Sequence, residues 1–131
     1  MTGLDTNVLV RYLVKDDQKQ GDRAASFIRT KINSGESCYL NHIVLCELVW
    51  VLESAYRYKK HEIVNVLEKL LITKQFEIED RDIVRHALNE YKTGNGDMAD
   101  YLIGWLNRSK GCNPTATFDA DLRTCDNFQI L

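Results

Sequence analysis

An α/β sandwich with a central, mostly parallel sheet of four to five short strands is the fold this sequence predicts. Three observations lead there. Short apolar runs of strand length alternate with segments of helical periodicity along the whole chain. Two of those runs stop on an aspartate, at Asp5 and at Asp119. With 131 residues, 44% of them hydrophobic, the chain can bury a sizeable core in one domain spanning 1–131, but not comfortably in two.

The opening apolar lead-in ends at Asp5, and Thr6 to about Leu13 reads as a short helix leaving at once. Asp, Thr and Asn also cap helices, so capping alone could explain Asp5. After the polar break Lys15–Lys19, an amphipathic helix is expected over about Gln20–Ile32, with Ala24, Phe27, Ile28 and Ile32 on its apolar face. Cys38–Leu40 is a second strand, and Asn41 caps the next helix, His42 to about Tyr56. That helix is apolar on nearly all sides, which predicts a buried helix with Glu47 in its middle. A buried carboxylate must be protonated, ion-paired or bound to a cation.

Arg57–Lys60 is a basic turn, read as a solvated loop rather than a phosphate contact. A helix over about His61–Leu71 and a strand at Phe76–Ile78 follow. Asp80 then opens a helix carrying Ile83, Val84, Ala87, Leu88 and Tyr91. Beyond the break Lys92–Gly96, the helix Asp97–Asn107 places Asp97, Asp100 and Gly104 on one side, which predicts two carboxylates with open space behind them. An acidic first turn favoured by the helix dipole explains Asp97 well and Asp100 less well. The strand Pro114–Phe118 ends at Asp119, Asp121 follows, and Phe128–Leu131 is an expected edge strand.

Composition excludes several classes. No apolar run is long enough to span a membrane, and no basic-then-apolar leader opens the chain, so a cytoplasmic protein is expected. Cys38, Cys46, Cys112 and Cys125 form no CxxC pair and read as free thiols. His42, His61 and His86 complete no zinc pattern. A net charge of −2 is unlike a strongly basic nucleic-acid binder, but it does not exclude an enzyme acting on nucleic acid whose metal ions carry the phosphate charge.

In a parallel α/β sheet, ligands gather at the carboxyl ends of strands. Asp5 and Asp119 both fall there. The helix of Asp97 and Asp100 directly precedes the Asp119 strand, and the Glu47 helix follows the second strand. Four or five carboxylates are thus expected at one mouth with no Lys or Arg at these positions. Such a group repels itself unless a cation binds. Oxygen-only ligands suit Mg²⁺ or Mn²⁺, ions that activate water and stabilise the attacking and leaving oxygens in phosphodiester hydrolysis.

Leu4-Asp5-Thr6-Asn7-Val8-Leu9, Glu47-Leu48, Asp97-Met-Ala-Asp100-Tyr-Leu-Ile and Thr117-Phe118-Asp119 resemble, in order and spacing, the motifs of the PIN-domain family. The closest likeness is to the VapC-type ribonuclease toxins of bacterial toxin–antitoxin pairs, and it spans the whole chain. The resemblance implies a PIN-like α/β/α fold and a Mg²⁺-dependent endoribonuclease in which Mn²⁺ may substitute. It implies a homodimer silenced by a VapB-type antitoxin whose arginine reaches the acids, and RNA substrates among which structured RNAs such as tRNA are common. By the same resemblance Asp5, Glu47, Asp100 and Asp119 are the metal-binding and catalytic acids. Asp97, acidic in only some members, ranks fifth, and Thr6, Asn7 and Thr117 support the acids. The chain departs from the pattern in its weak opening strand, where Thr2-Gly3 is less apolar than usual.

Three rivals remain. A phosphotransferase of the haloacid dehalogenase type also starts from a strand ending in Asp but needs a second Asp two residues on, where this chain has Asn7. A stand-alone PIN nuclease of RNA processing would carry the same acids. A non-catalytic dimeric interaction module would keep them for structure alone.

Overall fold

The computed structural model describes residues Met1–Leu131, and the chain falls into two compact units, Met1–Glu79 and Asp80–Leu131. Both are mixed α/β, and every strand pairing is parallel.

The first unit contains β1 (Thr2–Gly3), α1 (Thr6–Val14), α2 (Gln18–Asn33), β2 (Cys38–Leu40), α3 (His42–Ser54), α4 (Lys60–Ile72) and β3 (Phe76–Ile78). Its three strands lie in the order β1-β2-β3, with Thr2 opposite Cys38 and Leu40 opposite Ile78. Each parallel step is bridged by a pair of helices, as parallel pairing requires. β1 is only two residues long, in keeping with a glycine that brings no side chain to pack. The core is fed by Leu9 and Val10 of α1, Ile28 of α2, Leu45, Leu48 and Leu52 of α3, and Ile63, Leu67 and Leu70 of α4. Fully burying one such side chain stabilises the fold by about 1.5–3 kcal/mol. The α1–α2 connection is tied by Arg11, whose guanidinium donates to Asp16 (2.9 Å) and Gln20 (2.6 Å). Tyr56 closes this network by donating to Asp16 (2.8 Å).

Two expectations need correction here. α3 is not buried all round: Ile43 is 70% exposed, Trp50 67%, and Glu47 between them is exposed as well. Residues 43, 47 and 50 share one side of the helix, and the unit's small sheet and few helices cover only the other. Hydrophobicity permits burial but needs a packing partner to realise it. For the same reason Phe27 of α2 is 43% exposed while Ala24 and Ile28 beside it are buried.

The second unit contains α5 (Arg81–Thr93), α6 (Met98–Ser109), β4 (Thr115–Thr117), a short 3₁₀ turn (Ala120–Leu122) and β5 (Phe128–Ile130). β4 and β5 form a two-stranded parallel pair with Thr115 opposite Phe128. The strand begins at Thr115 rather than Pro114 because proline has no N–H to donate, whereas Thr115 donates to Asn127 O at 2.8 Å. α5 and α6 pack on each other, and Val84, Leu88 and Tyr91 of α5 and Tyr101 and Leu102 of α6 are buried. The Tyr101 hydroxyl accepts the Gly96 N–H at 3.0 Å and fills the space a side chain at Gly94 would need, which pins the loop leading into α6.

Gly104 does not leave open space behind the aspartates. It is buried, and a Cβ there would stand 2.8 Å from the Phe128 ring, so the missing side chain makes room for β5. All four cysteines are free thiols. The thiol of Cys125 donates to Glu90 at 2.6 Å, and burial together with that carboxylate pushes its pKa up to about 11. The other Glu90 oxygen accepts from the Trp105 indole at 2.8 Å. No helix is long and apolar enough to cross a membrane.

Candidate functional site

In the first unit, Asp5 stands where β1 gives way to α1. It holds the N-cap position in extended geometry (φ −78°, ψ 156°), and its backbone carbonyl accepts from Val8 and Leu9. Its side chain, however, makes no capping hydrogen bond. Asp17 and Asn41 at equivalent positions do cap, accepting from Gln20 and Val44 N–H at 3.0 and 2.9 Å. Capping therefore does not account for the Asp5 carboxylate, which is exposed and lines a cleft. Thr6, the next residue, is buried and donates its hydroxyl to Glu47 Oε1 at 2.7 Å. This bond ties the start of α1 to the middle of α3, and Glu47 itself remains exposed. Asn7 is exposed and shares the cleft with Asp5.

In the second unit the acids are crowded. The Asp97 N–H donates to Asp100 Oδ2 at 3.0 Å, the reciprocal half of a helix-start box, so Asp100 has a structural task as well. The Asp119 N–H donates to Thr117 Oγ1 at 3.1 Å, and Asp119 Oδ1 accepts from Asp121 N–H at 2.9 Å. Thr117 thus fixes the backbone that presents Asp119. The Asp100 carboxyl is pushed above the usual aspartate range, first by burial and then by the negative charge of Asp97, Asp119 and Asp121, against the lowering effect of the Asp97 N–H. Carboxylates that raise one another's affinity for a proton also favour any other cation among them.

Two features were missed from sequence. Asp121 belongs to the acidic set of the second unit, and its signal was the Asp-x-Asp spacing after β4. The cleft beside Asp5, about 590 Å³, is lined by Arg11, Gln20, Arg23 and Phe27 of α1 and α2. Its signal was the four-residue step from Asn7 to Arg11 on one helix face. His42 and Glu79 form a separate pair: the two ring nitrogens lie 3.2 Å from the Glu79 carboxylate and 2.9 Å from its carbonyl oxygen. Both ring nitrogens are therefore engaged in clasping β3 to the start of α3.

The expected acids are all oxygen donors. None is neutralised by an ion pair, Glu47 accepts from a neutral hydroxyl, and those of the second unit repel one another. Such a donor set fits a hard divalent cation such as Mg²⁺ or Mn²⁺ and disfavours zinc or copper.

The profile of the PIN domain matches residues 4–127, running through both units. The chain is also similar to a VapC ribonuclease of Aquifex aeolicus (strain VF5), with 27% identity over 115 residues, which is 88% of this chain and 84% of that protein.

Proposed function

Because the chain belongs to the PIN-domain family, we propose that it is a metal-dependent endoribonuclease that hydrolyses RNA phosphodiester bonds as the toxin of a toxin–antitoxin pair. We read residues 1–131 as one PIN domain in which Asp5, Glu47, Asp100 and Asp119 are the metal-binding acids and Asp97 a fifth. The observation that carries this reading is the carboxylate of Asp5, placed at a helix start yet taking no part in capping.

When bound, Mg²⁺ or Mn²⁺ supplies Lewis-acid activation of water and stabilises charge on the reacting phosphate. The chain's own residues do the rest. Thr6 holds Glu47 in one orientation, Thr117 fixes the backbone before Asp119, and the Asp97 N–H holds Asp100. Arg23, lining the cleft beside Asp5, offers positive charge to the flanking phosphates of the RNA, whereas Arg11 in the same cleft is paired with Asp16. The partners are an RNA substrate, with tRNA or another structured RNA as the first to try, and a VapB-type antitoxin. A second copy of the chain is the third partner, and the exposed Ile43 and Trp50 of α3 support that dimer. The compartment is the cytoplasm.

The test is incubation of the purified protein with total tRNA and Mg²⁺ or Mn²⁺, alongside Asp5→Asn, Asp100→Asn and an EDTA control. Cleavage by wild type only, and only with metal, is expected. Full cleavage by both variants would overturn the assignment. A folded protein that neither cleaves nor binds Mn²⁺ would favour a dimeric interaction module.

A further inference from the structure

Phe118 is 84% exposed, the most exposed of the chain's large hydrophobic residues. Single exposed apolar side chains are ordinary, but the setting of this one is not. It immediately precedes Asp119, at the end of β4, within the acidic set of the second unit. It is also held there. On one side Thr117 is anchored by its carbonyl, which accepts the Leu131 N–H at 2.9 Å, and by its hydroxyl, which accepts the Asp119 N–H. On the other side Asp119 is anchored by its side chain to Asp121 N–H and by its carbonyl to Leu122 N–H at 3.1 Å. Hydrogen bonds on both flanks fix the turn, so the Phe118 backbone cannot readily relax to bury the ring against β4 or β5.

A nucleotide joins an anionic phosphate to a flat apolar base across one ribose. A site that sets a cation-binding acid next to an exposed aromatic ring on a fixed backbone is complementary to both ends of that ligand. Aromatic side chains stack on any unpaired base because every base has a π-face, and they read little sequence in doing so. A base inside a duplex offers no such face. We propose that Phe118 is a substrate-binding residue, stacking on an unpaired base next to the phosphate that is cut. This rests on the nuclease reading above and names a residue that seats the substrate in the same site.

The test uses the full-length protein with total tRNA and Mn²⁺, comparing wild type with Phe118→Ala, Phe118→Trp and Phe118→Leu. Loss of one stacked base corresponds to about 5- to 150-fold in affinity, so Phe118→Ala should lower kcat/KM within that range, mainly through KM. Phe118→Trp should restore it, and Phe118→Leu, apolar but without a π-face, should not. A synthetic RNA carrying the mapped cleavage site, with the flanking base removed, should cost wild type the same factor and Phe118→Ala nothing further. Melting temperature and elution volume should be unchanged in all three variants. Kinetics of Phe118→Ala equal to wild type, or of Phe118→Leu equal to wild type, would overturn the stacking role alone. So would a loss of activity that tracks a change in elution volume, since the ring would then serve contact between copies. Failure of wild type to cut any RNA would overturn the nuclease reading, and this one with it.

Discussion

The acids of the first unit and those of the second are held in opposite ways. Asp5, at the start of α1, and Glu47, within α3, are both exposed, and one side-chain bond, from the buried Thr6 hydroxyl, holds Glu47. Asp97, Asp100, Asp119 and Asp121 lie close enough to push Asp100 toward its protonated form, and their carboxylates and backbone amides form helix starts and turns. An acid that also caps a helix would be kept for folding alone. One that occupies a cap position without capping has no such explanation. The first unit therefore carries the sharper functional signal, although the second holds more charge.

The comparison breaks most visibly at Asp5. Asp5→Asn should leave the melting temperature nearly unchanged, since no capping bond is lost, and reduce cleavage by more than about a hundredfold, beyond the loss usual for residues that merely orient metal ligands. An Asp5→Asn protein that melts much earlier would mean the side chain is structural after all. Next comes the hydroxyl that holds Glu47: Thr6→Val keeps the shape and removes that bond. We expect about a 10- to 100-fold fall in activity or Mn²⁺ affinity, with recovery in Thr6→Ser, both readable by calorimetric Mn²⁺ titration. Equal Mn²⁺ affinity and activity in wild type and Thr6→Val would remove Thr6 from the site.

Packing sharpens the contrast from the side of the second unit. Gly104→Ala forces a methyl group against Phe128 and should cost about 1–3 kcal/mol of stability, measured by urea unfolding. A neutral result would restore the open space expected from sequence. The smallest effect is at Asp100, whose raised pKa makes the folded state bind a proton over a window above the ordinary aspartate value of 3.8. Stability therefore falls as pH rises through that window, and the full penalty remains above it. In EDTA, Asp100→Asn should be more stable than wild type at pH 7, by no more than about 1 kcal/mol, and the difference should close as pH drops toward 4. A variant that is less stable at pH 7 would show that the bond from the Asp97 N–H outweighs the repulsion.

Much of this was legible in the sequence, because strand and helix periods are local. The α/β alternation, the six helices and the strands at residues 38–40, 76–78 and 128–130 follow from spacing alone. The places of the acids in the fold were equally legible: Asp5 and Asp119 follow strands, Glu47 and Asp100 lie on helices, and Asp97 opens one. What periodicity cannot supply is the partner on the far side of a face. α3 reads as buried because nothing in its own residues says how little covers Ile43 and Trp50. Gly104 reads as a gap because Phe128, which fills it, comes from a distant strand. The non-capping of Asp5 was likewise invisible, being a matter of side-chain rotamer rather than residue type.

The four thiols divide sharply in accessibility. Cys38 and Cys125 are buried, Cys46 is half-buried, and burial pushes all three thiol pKa values up. At pH 8 a thiol with a pKa of about 11, such as that of Cys125, is only about one part in a thousand thiolate, the form that attacks an electrophile. Cys112, in the turn after α6, is exposed. A maleimide dye or nitroxide added to the native protein will enter there first, giving the second unit a single spectroscopic reporter without any engineered cysteine.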